Sequence, residues 1–155
     1  MEKKQRKILI ILILVLTAID QILKITILVS NIKIGNIYGW SIGVLSSTKS
    51  DNNIQYILIA VIAIILIVRY ITSTNTYIKM DSKVILSFTI AGAISNTIDR
   101  AWNGATINYI NISKFTALNL GYMYFIVTWI GMAVILTKYT GERIKEKNEK
   151  RNNSK

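Results

Sequence analysis

The hydrophobic positions of this chain are gathered into four long runs, separated by stretches rich in Asn, Ser, Thr and charged residues. Each run is long enough to cross a hydrocarbon core roughly 30 Å thick when helix tilt and interfacial ends are allowed. The runs cover residues 8–29, 54–68, 84–99 and 121–137. The pattern therefore predicts an all-α membrane protein with four transmembrane helices.

Two of the polar stretches alternate apolar and polar residues, which is the period of a β-strand. Residues 38–45 alternate within the first stretch, 30–53, and residues 106–112 alternate within the second, 103–120. Both stretches fall on the same side of a four-helix bundle. They are predicted to pair as a small extracytoplasmic β element on the outer membrane face.

The formal net charge is +11, and the basic residues are clustered. They precede the first run, lie between the second and third runs, and follow the fourth, where an even-numbered bundle has its cytoplasmic ends. This distribution argues against nucleic-acid binding. It predicts a multi-pass membrane protein with both termini in the cytoplasm. Residues 1–137 are predicted to form the membrane domain, and 138–155 a basic, mobile cytoplasmic tail suited to contact with anionic membrane lipid.

The composition narrows the possible chemistry. The chain is 52% hydrophobic and contains no Pro, Cys or His. Their absence removes thiol chemistry, disulfides and the commonest zinc ligands. Neither a bound metal nor another cofactor is predicted from the residues.

Two groups of polar residues interrupt the apolar runs. Asn96, Asp99 and Arg100 stand at i, i+3 and i+4 and so share one helix face, while Asp20 and Lys24 stand four apart in the orientation that favours an ion pair. Charged groups at membrane depth persist mainly where they pair or serve a site. These five residues are predicted to cluster between the first and third helices. The alternative is a third helix that simply ends among the lipid headgroups.

The polar positions resemble those of the lipoprotein signal peptidases, also called signal peptidase II. Residues 20–24 match that family's D-Q-x-x-K pattern, and 91–100 contain its G-A-x-x-N-x-x-D-R motif. Residues 104–110 follow the spacing of G-x-V-V-D-F-I, and 118–122 that of F-N-x-A-D. Residues 39–43 keep only the glycines of the family's outer loop.

The resemblance implies an aspartic endopeptidase of the cytoplasmic (inner) membrane of a bacterium, which cleaves before a diacylglyceryl-modified Cys. The family's two catalytic aspartates fall at Asn108 and Tyr122, and neither side chain can act as a general base near neutral pH without an extreme environment. The resemblance thus predicts a catalytically degenerate protein that keeps a groove for lipid-modified precursor peptides or a peptide antibiotic. The residues expected to support this groove are Asp20, Lys24, Asn96, Asp99, Arg100 and Asn119.

Two other functions remain open at the level of the sequence. One is an active peptidase with an atypical acid pair, Asp20 and Asp99. The other is an unrelated four-helix transporter or channel subunit, which should carry a polar stripe along a helix. The second and fourth helices lack such a stripe, and this favours the two peptidase-like alternatives.

Overall fold

The computed structural model describes residues 3–30, 34–37, 40–45, 53–72, 79–112 and 116–152. Four helices and four strands lie in these ranges. In chain order they are α1 (Lys3–Ser30), β1 (Ile34–Ile37), β2 (Trp40–Leu45), α2 (Asn53–Thr72), α3 (Met80–Asn103), β3 (Asn108–Ile112), β4 (Thr116–Leu118) and α4 (Leu120–Asn152).

The helix α3 lies at the centre of the bundle, in contact with α1, α2 and α4. Ile90 of α3 and Leu9 of α1 are the buried pair of an apolar cluster, which Ile64 and Ile67 of α2 extend. Because three helices cover α3, its side chains meet protein more than lipid. Its sequence can therefore carry small and polar residues that would be costly on the outer helices.

The outer faces of the bundle are apolar. α1 and α4 are long and apolar enough to span a membrane by length and composition, and α2 contains a shorter apolar stretch, Ile54–Tyr70. Large side chains such as Leu14, Ile62 and Trp129 are exposed on three different helices. A soluble protein rarely exposes contiguous apolar surface on this scale. The predicted all-α membrane fold is confirmed.

A four-stranded antiparallel sheet lies at the end of the bundle where α1 and α3 end. Its order is β1-β2-β3-β4. Ser41 in β2 pairs with Asn111 in β3, so the two predicted polar stretches do join as one small sheet. β4, which pairs with β3, adds a strand that the alternation did not indicate. Residues 31–33, 38–39, 46–52 and 113–115 of these stretches lie outside the described residues.

All four helices are longer than the apolar runs predict, and α3 and α4 exceed them most. α3 begins at Met80, and Asp81 in its first turn interacts favourably with the helix dipole. α4 continues to Asn152, because its last turns consist largely of Lys, Arg and Glu, which are good helix formers. The predicted tail is thus helical through Asn152, and its separation from the membrane domain stays a prediction.

Glycines set two features of α3. A Cβ added to Gly92 would lie 2.5 Å from the carbonyl oxygen of Gly121, so the backbones of α3 and α4 approach closely here. Gly104 follows the last turn with φ 72°, and its N–H donates to the Arg100 carbonyl at 3.1 Å. This left-handed residue ends the helix and turns the chain toward β3.

The close approach of α3 and α4 gives a test of the packing. Gly92→Ala should lower the stability of the protein by about 1–3 kcal/mol, because backbone atoms block the new methyl group. Gly141→Ala is the matched control, since a Cβ there meets nothing within 4 Å. It should be neutral or stabilising. Thermal unfolding of the purified protein in detergent measures both, and equal midpoints would contradict the packing.

Candidate functional site

One face of α3 carries a buried stripe of polar and small side chains. Its members are spaced four residues apart and therefore stack along the helix. Each is at most 4% exposed, and the stripe runs for about 24 Å at 1.5 Å per residue. The members are Lys83, Ser87, Ala91, Ser95 and Asp99. The helix α1 lies against it, with the Thr17 hydroxyl donating to the Ala91 carbonyl at 3.3 Å.

The Lys24 ammonium of α1 lies at the centre of the polar cluster near the end of this stripe. Its Nζ is 2.7 Å from Oδ2 of Asp20 and 2.7 Å from Oδ2 of Asp99. The Ser95 hydroxyl and the Asn96 amide oxygen each lie 3.1 Å away. Four oxygens thus surround a nitrogen that has three N–H donors and is fully buried.

The two carboxylates are held by further donors. Asp20 accepts from the Ser95 hydroxyl at 2.6 Å and from the Tyr109 hydroxyl at 3.3 Å. Asp99 accepts from Gln21 Nε2 at 2.9 Å and from the Ile107 backbone N–H at 3.1 Å. Buried charges of this kind are tolerated when they are paired and hydrogen-bonded. Both oxygens of each carboxylate accept a hydrogen bond or lie in the ion pair.

Tyr109 connects the sheet to this cluster. Its side chain is buried at the start of β3, and its hydroxyl accepts from the Leu120 N–H at 2.9 Å while donating to Asp20. Burial, with the Asp20 carboxylate as the second cause, raises the pKa of Tyr109 above its ordinary value. The phenol therefore stays protonated and keeps its donor role.

A chain of three amides extends the cluster toward α4. The Nδ2 of Asn119 lies 2.9 Å from Oδ1 of Asn96 and 3.1 Å from Oδ1 of Asn108. Oδ1 of Asn119 accepts from the Tyr122 backbone N–H at 2.9 Å, which makes Asn119 the N-cap of α4. One buried residue therefore fixes the start of α4 and joins α3 to β3.

Arg100 and Tyr122 lie at a neighbouring cavity. Both line a cavity of about 240 Å³ bounded by α2, α3 and α4. The guanidinium carbon of Arg100 lies 5.0 Å from the centre of the Tyr56 ring. Asn96 also lines this cavity while accepting from Lys24, so the cavity adjoins the Lys24 cluster.

The structure therefore brings most of the sequence-predicted site residues together, though not all. One network contains Asp20, Lys24, Asn96, Asp99, Asn108 and Asn119, while Arg100 and Tyr122 line the cavity. The network also contains three residues that were not predicted as members, Gln21, Ser95 and Tyr109. Gln21 lies within the D-Q-x-x-K pattern, so a signal for it was present. Tyr109 counted as an apolar position in a strand, and its hydroxyl gave no signal.

The network places four oxygen atoms around one positive charge. Carboxylate, amide and hydroxyl oxygens suit hard cations such as Mg²⁺, Ca²⁺ and Mn²⁺. Among the residues that the structure describes, no group of three or more His, Cys, Asp or Glu side chains is placed to hold a metal ion. An ammonium group between two carboxylates is what the protein itself supplies.

Fold and site together define a helical membrane protein with a buried charged cluster between two of its helices. The chain belongs to the Mntp family, described as "Putative manganese efflux pump", whose family model matches residues 16–151. That match covers well over half of the chain. The sequence matches no curated protein.

Two solved structures have a similar fold. Both are described as a bacterial membrane enzyme determined by the in meso method, one at 2.3 Å and one at 1.9 Å resolution. The first has a TM-score of 0.74 and 20% identity, and the match covers 88% of this chain and 91% of that chain. The second has a TM-score of 0.73 and 19% identity, covering 84% and 92%. At such identity the likeness shows the fold alone.

The family match corrects the function predicted from the motifs. A degenerate signal peptidase with a role in lipoprotein processing is the wrong prediction, because the family is described as an efflux pump. The transporter alternative is better supported. Contact with membrane lipid agrees with the apolar outer faces, while lipid-modified peptides and a peptide antibiotic gain no support as partners.

The network predicts that replacing two buried serines of α3 by Ala lowers stability by different amounts. Ser95→Ala should lower stability by about 1–3 kcal/mol, since Asp20, Lys24 and Gln21 each lose a partner. Ser87→Ala is the control, because the Ser87 hydroxyl donates only to a carbonyl of its own helix, that of Lys83 at 2.9 Å, among the described contacts. Its cost should stay below about 1 kcal/mol. Unfolding in detergent compares them, and an equal loss would argue against the network.

Proposed function

We propose that this protein carries a hard divalent cation across the membrane, with Mn²⁺ as the first candidate. The family match over residues 16–151 supports this, since the family is described as an efflux pump for manganese. Within the proposal, Asp20 and Asp99 are the charged cation ligands. Asn96 supplies a neutral oxygen beside them.

The observation that carries the proposal is the buried polar stripe of α3. A transport protein needs polar groups along a protected route, and ionisable residues inside membranes mark such routes. The stripe faces the bundle interior over about 24 Å, which is most of a hydrocarbon core roughly 30 Å thick. Its middle members, Ser87, Ala91 and Ser95, are small. Small side chains obstruct the passage of an ion less than large ones do.

The composition of the cluster also fits transport better than permanent binding. Two carboxylates with neutral oxygens give Mn²⁺ suitable ligands but few formal charges. A transport site must bind firmly enough to accept an ion and weakly enough to release it. A closed set of strong ligands such as His and Cys would hold the ion too long, and the chain contains neither residue type.

Transport can be measured directly in liposomes that contain the purified protein and a Mn²⁺-sensitive dye. Asp99→Asn should slow Mn²⁺ entry about tenfold or more, corresponding to about 1.4 kcal/mol or more, because one of two charged ligands is lost. Asp81→Asn is the control, since Asp81 lies exposed on the same helix. It should stay within about twofold of the unmodified rate.

Failure would be clear in the same assay. If liposomes with the unmodified protein took up Mn²⁺ no faster than empty liposomes, the proposed function would be wrong. Equal slowing by Asp99→Asn and Asp81→Asn would instead remove Asp99 from the route.

We further propose that the protein lies in the inner membrane of a bacterium with both termini in the cytoplasm. The basic residues at the two ends and before α3 support this orientation. The chain has no Cys, so single cysteines at Leu45 and Lys147 can be labelled from either side. Leu45→Cys should react with an impermeant reagent from outside, and Lys147→Cys only after the membrane is opened. The reverse result would invert the topology.

A further inference from the structure

We infer that the Lys24 ammonium occupies the position of the transported cation and competes with it for the same two carboxylates. This inference rests on the proposed transport function and says how access of the metal ion to the site is controlled. Lys24 holds the site closed when no metal is present. A divalent ion binds only when the ammonium leaves.

The geometry around Nζ is that of a bound cation. Two carboxylate oxygens at 2.7 Å, a hydroxyl at 3.1 Å and an amide oxygen at 3.1 Å enclose one positive charge. Hard divalent ions bind oxygen at about 2.0–2.6 Å. Each carboxylate oxygen would therefore need to move inward by only about 0.5 Å to coordinate a metal ion at the same point.

The formal charge of the site also favours a divalent cation. Two carboxylates and one ammonium leave a formal charge of −1 on the buried group, so one ammonium does not neutralise it. A divalent cation in place of the ammonium would match both carboxylates. Ammonium and metal ion cannot share the centre, because like charges at such a distance repel strongly away from water.

The buried hydroxyl of Thr106 is a second observation that bears on this site. Oγ1 of Thr106 is buried and has no hydrogen-bond partner among the described residues. Thr106 immediately precedes Ile107, whose N–H donates to Asp99 at 3.1 Å. Buried polar atoms without a partner are rare in native structures. This one belongs to the residue directly before a backbone donor to Asp99.

The experiment removes the ammonium and measures binding of the metal alone. Lys24→Gln should bind Mn²⁺ at least about tenfold more tightly than the unmodified protein, because no internal cation competes. Binding is followed by the loss of the electron paramagnetic resonance signal of free Mn²⁺ on addition of purified protein in detergent. Adding Asp99→Asn to Lys24→Gln should abolish the gain.

Lys138→Gln is the matched control. It removes the same charge from an exposed position on α4 and should leave Mn²⁺ affinity within about twofold. A folded Lys24→Gln protein with unchanged affinity would overturn the inference. The same holds if Lys138→Gln tightens binding equally, since the effect would then be one of overall charge.

Lys24→Gln leaves two buried carboxylates without their counter-ion, and the variant can fail to fold for that reason. Mn²⁺ added throughout purification then provides the second measurement. Recovery of a monodisperse protein with millimolar Mn²⁺, and not without it, supports the inference. Aggregation at every Mn²⁺ concentration overturns it, because the oxygens then hold no cation but the ammonium.

The binding measurement includes no transport step. The proposed transport function and the proposed role of Lys24 can therefore be disproved independently. Tighter binding by Lys24→Gln, together with no transport by the unmodified protein, removes the pump function and keeps the cation site. Transport by the unmodified protein, together with unchanged affinity in Lys24→Gln, keeps the pump function and removes the role of Lys24.

Discussion

The ion pair that Lys24 makes with Asp20 and Asp99 is the interaction on which the rest of the structure depends. Moving these groups away from water is costly, and the cost is met only with short contacts and a full set of hydrogen bonds. Because Lys24 and Asp20 lie on α1 and Asp99 lies on α3, the two helices can neither rotate nor slide independently. Removing one partner of such a buried set typically costs about 3–5 kcal/mol.

The surrounding elements are arranged to complete that set. Ser95 is small enough to let α1 approach α3, and its hydroxyl donates to Asp20 while accepting from Lys24. The sheet contributes Tyr109 and the Ile107 N–H, so the polar end of the bundle is closed by protein groups. The close contact of α3 with α4 at Gly92 brings the Asn119 cap within reach of Asn96. The small β element is therefore part of the site.

The sequence predicts much of this arrangement, because the strongest signals are local. Four apolar runs fix the helices, and the spacing of Asp20 and Lys24 predicts their ion pair, which the structure has at 2.7 Å. The direction of Arg100 was not predictable, since a position at i+4 from Asn96 does not say whether it turns toward α1 or α2. The length of α4 was missed because only apolar residues were counted as helix.

The polar stripe of α3 shows why a pattern must be sought on every helix. The second and fourth helices lack one, and this argued against a transporter, yet Lys83, Ser87, Ala91, Ser95 and Asp99 form a stripe on the third. The stripe is hard to recognise in the sequence because the apolar Ala91 interrupts the polar residues. The polar group that Ala91 contributes is its backbone carbonyl, which accepts from Thr17. Small residues on a buried helix face are compatible with close packing as well as with a route for ions. Only the position of α3 among three other helices distinguishes a lipid-facing stripe from an interior one.

A shared fold does not fix a shared activity, because activity resides in the site. The helical frame resembles that of a bacterial membrane enzyme, with a TM-score of 0.74. Of the two positions that the motif resemblance assigned to catalytic carboxylates, Asn108 has an amide whose oxygen accepts from Asn119 at 3.1 Å, and Tyr122 lines a cavity. The buried carboxylates of Asp20 and Asp99 enclose the Lys24 ammonium. A neutral amide has no proton to exchange near neutral pH, but its oxygen can accept from a positive charge, as that of Asn96 does from Lys24 at 3.1 Å.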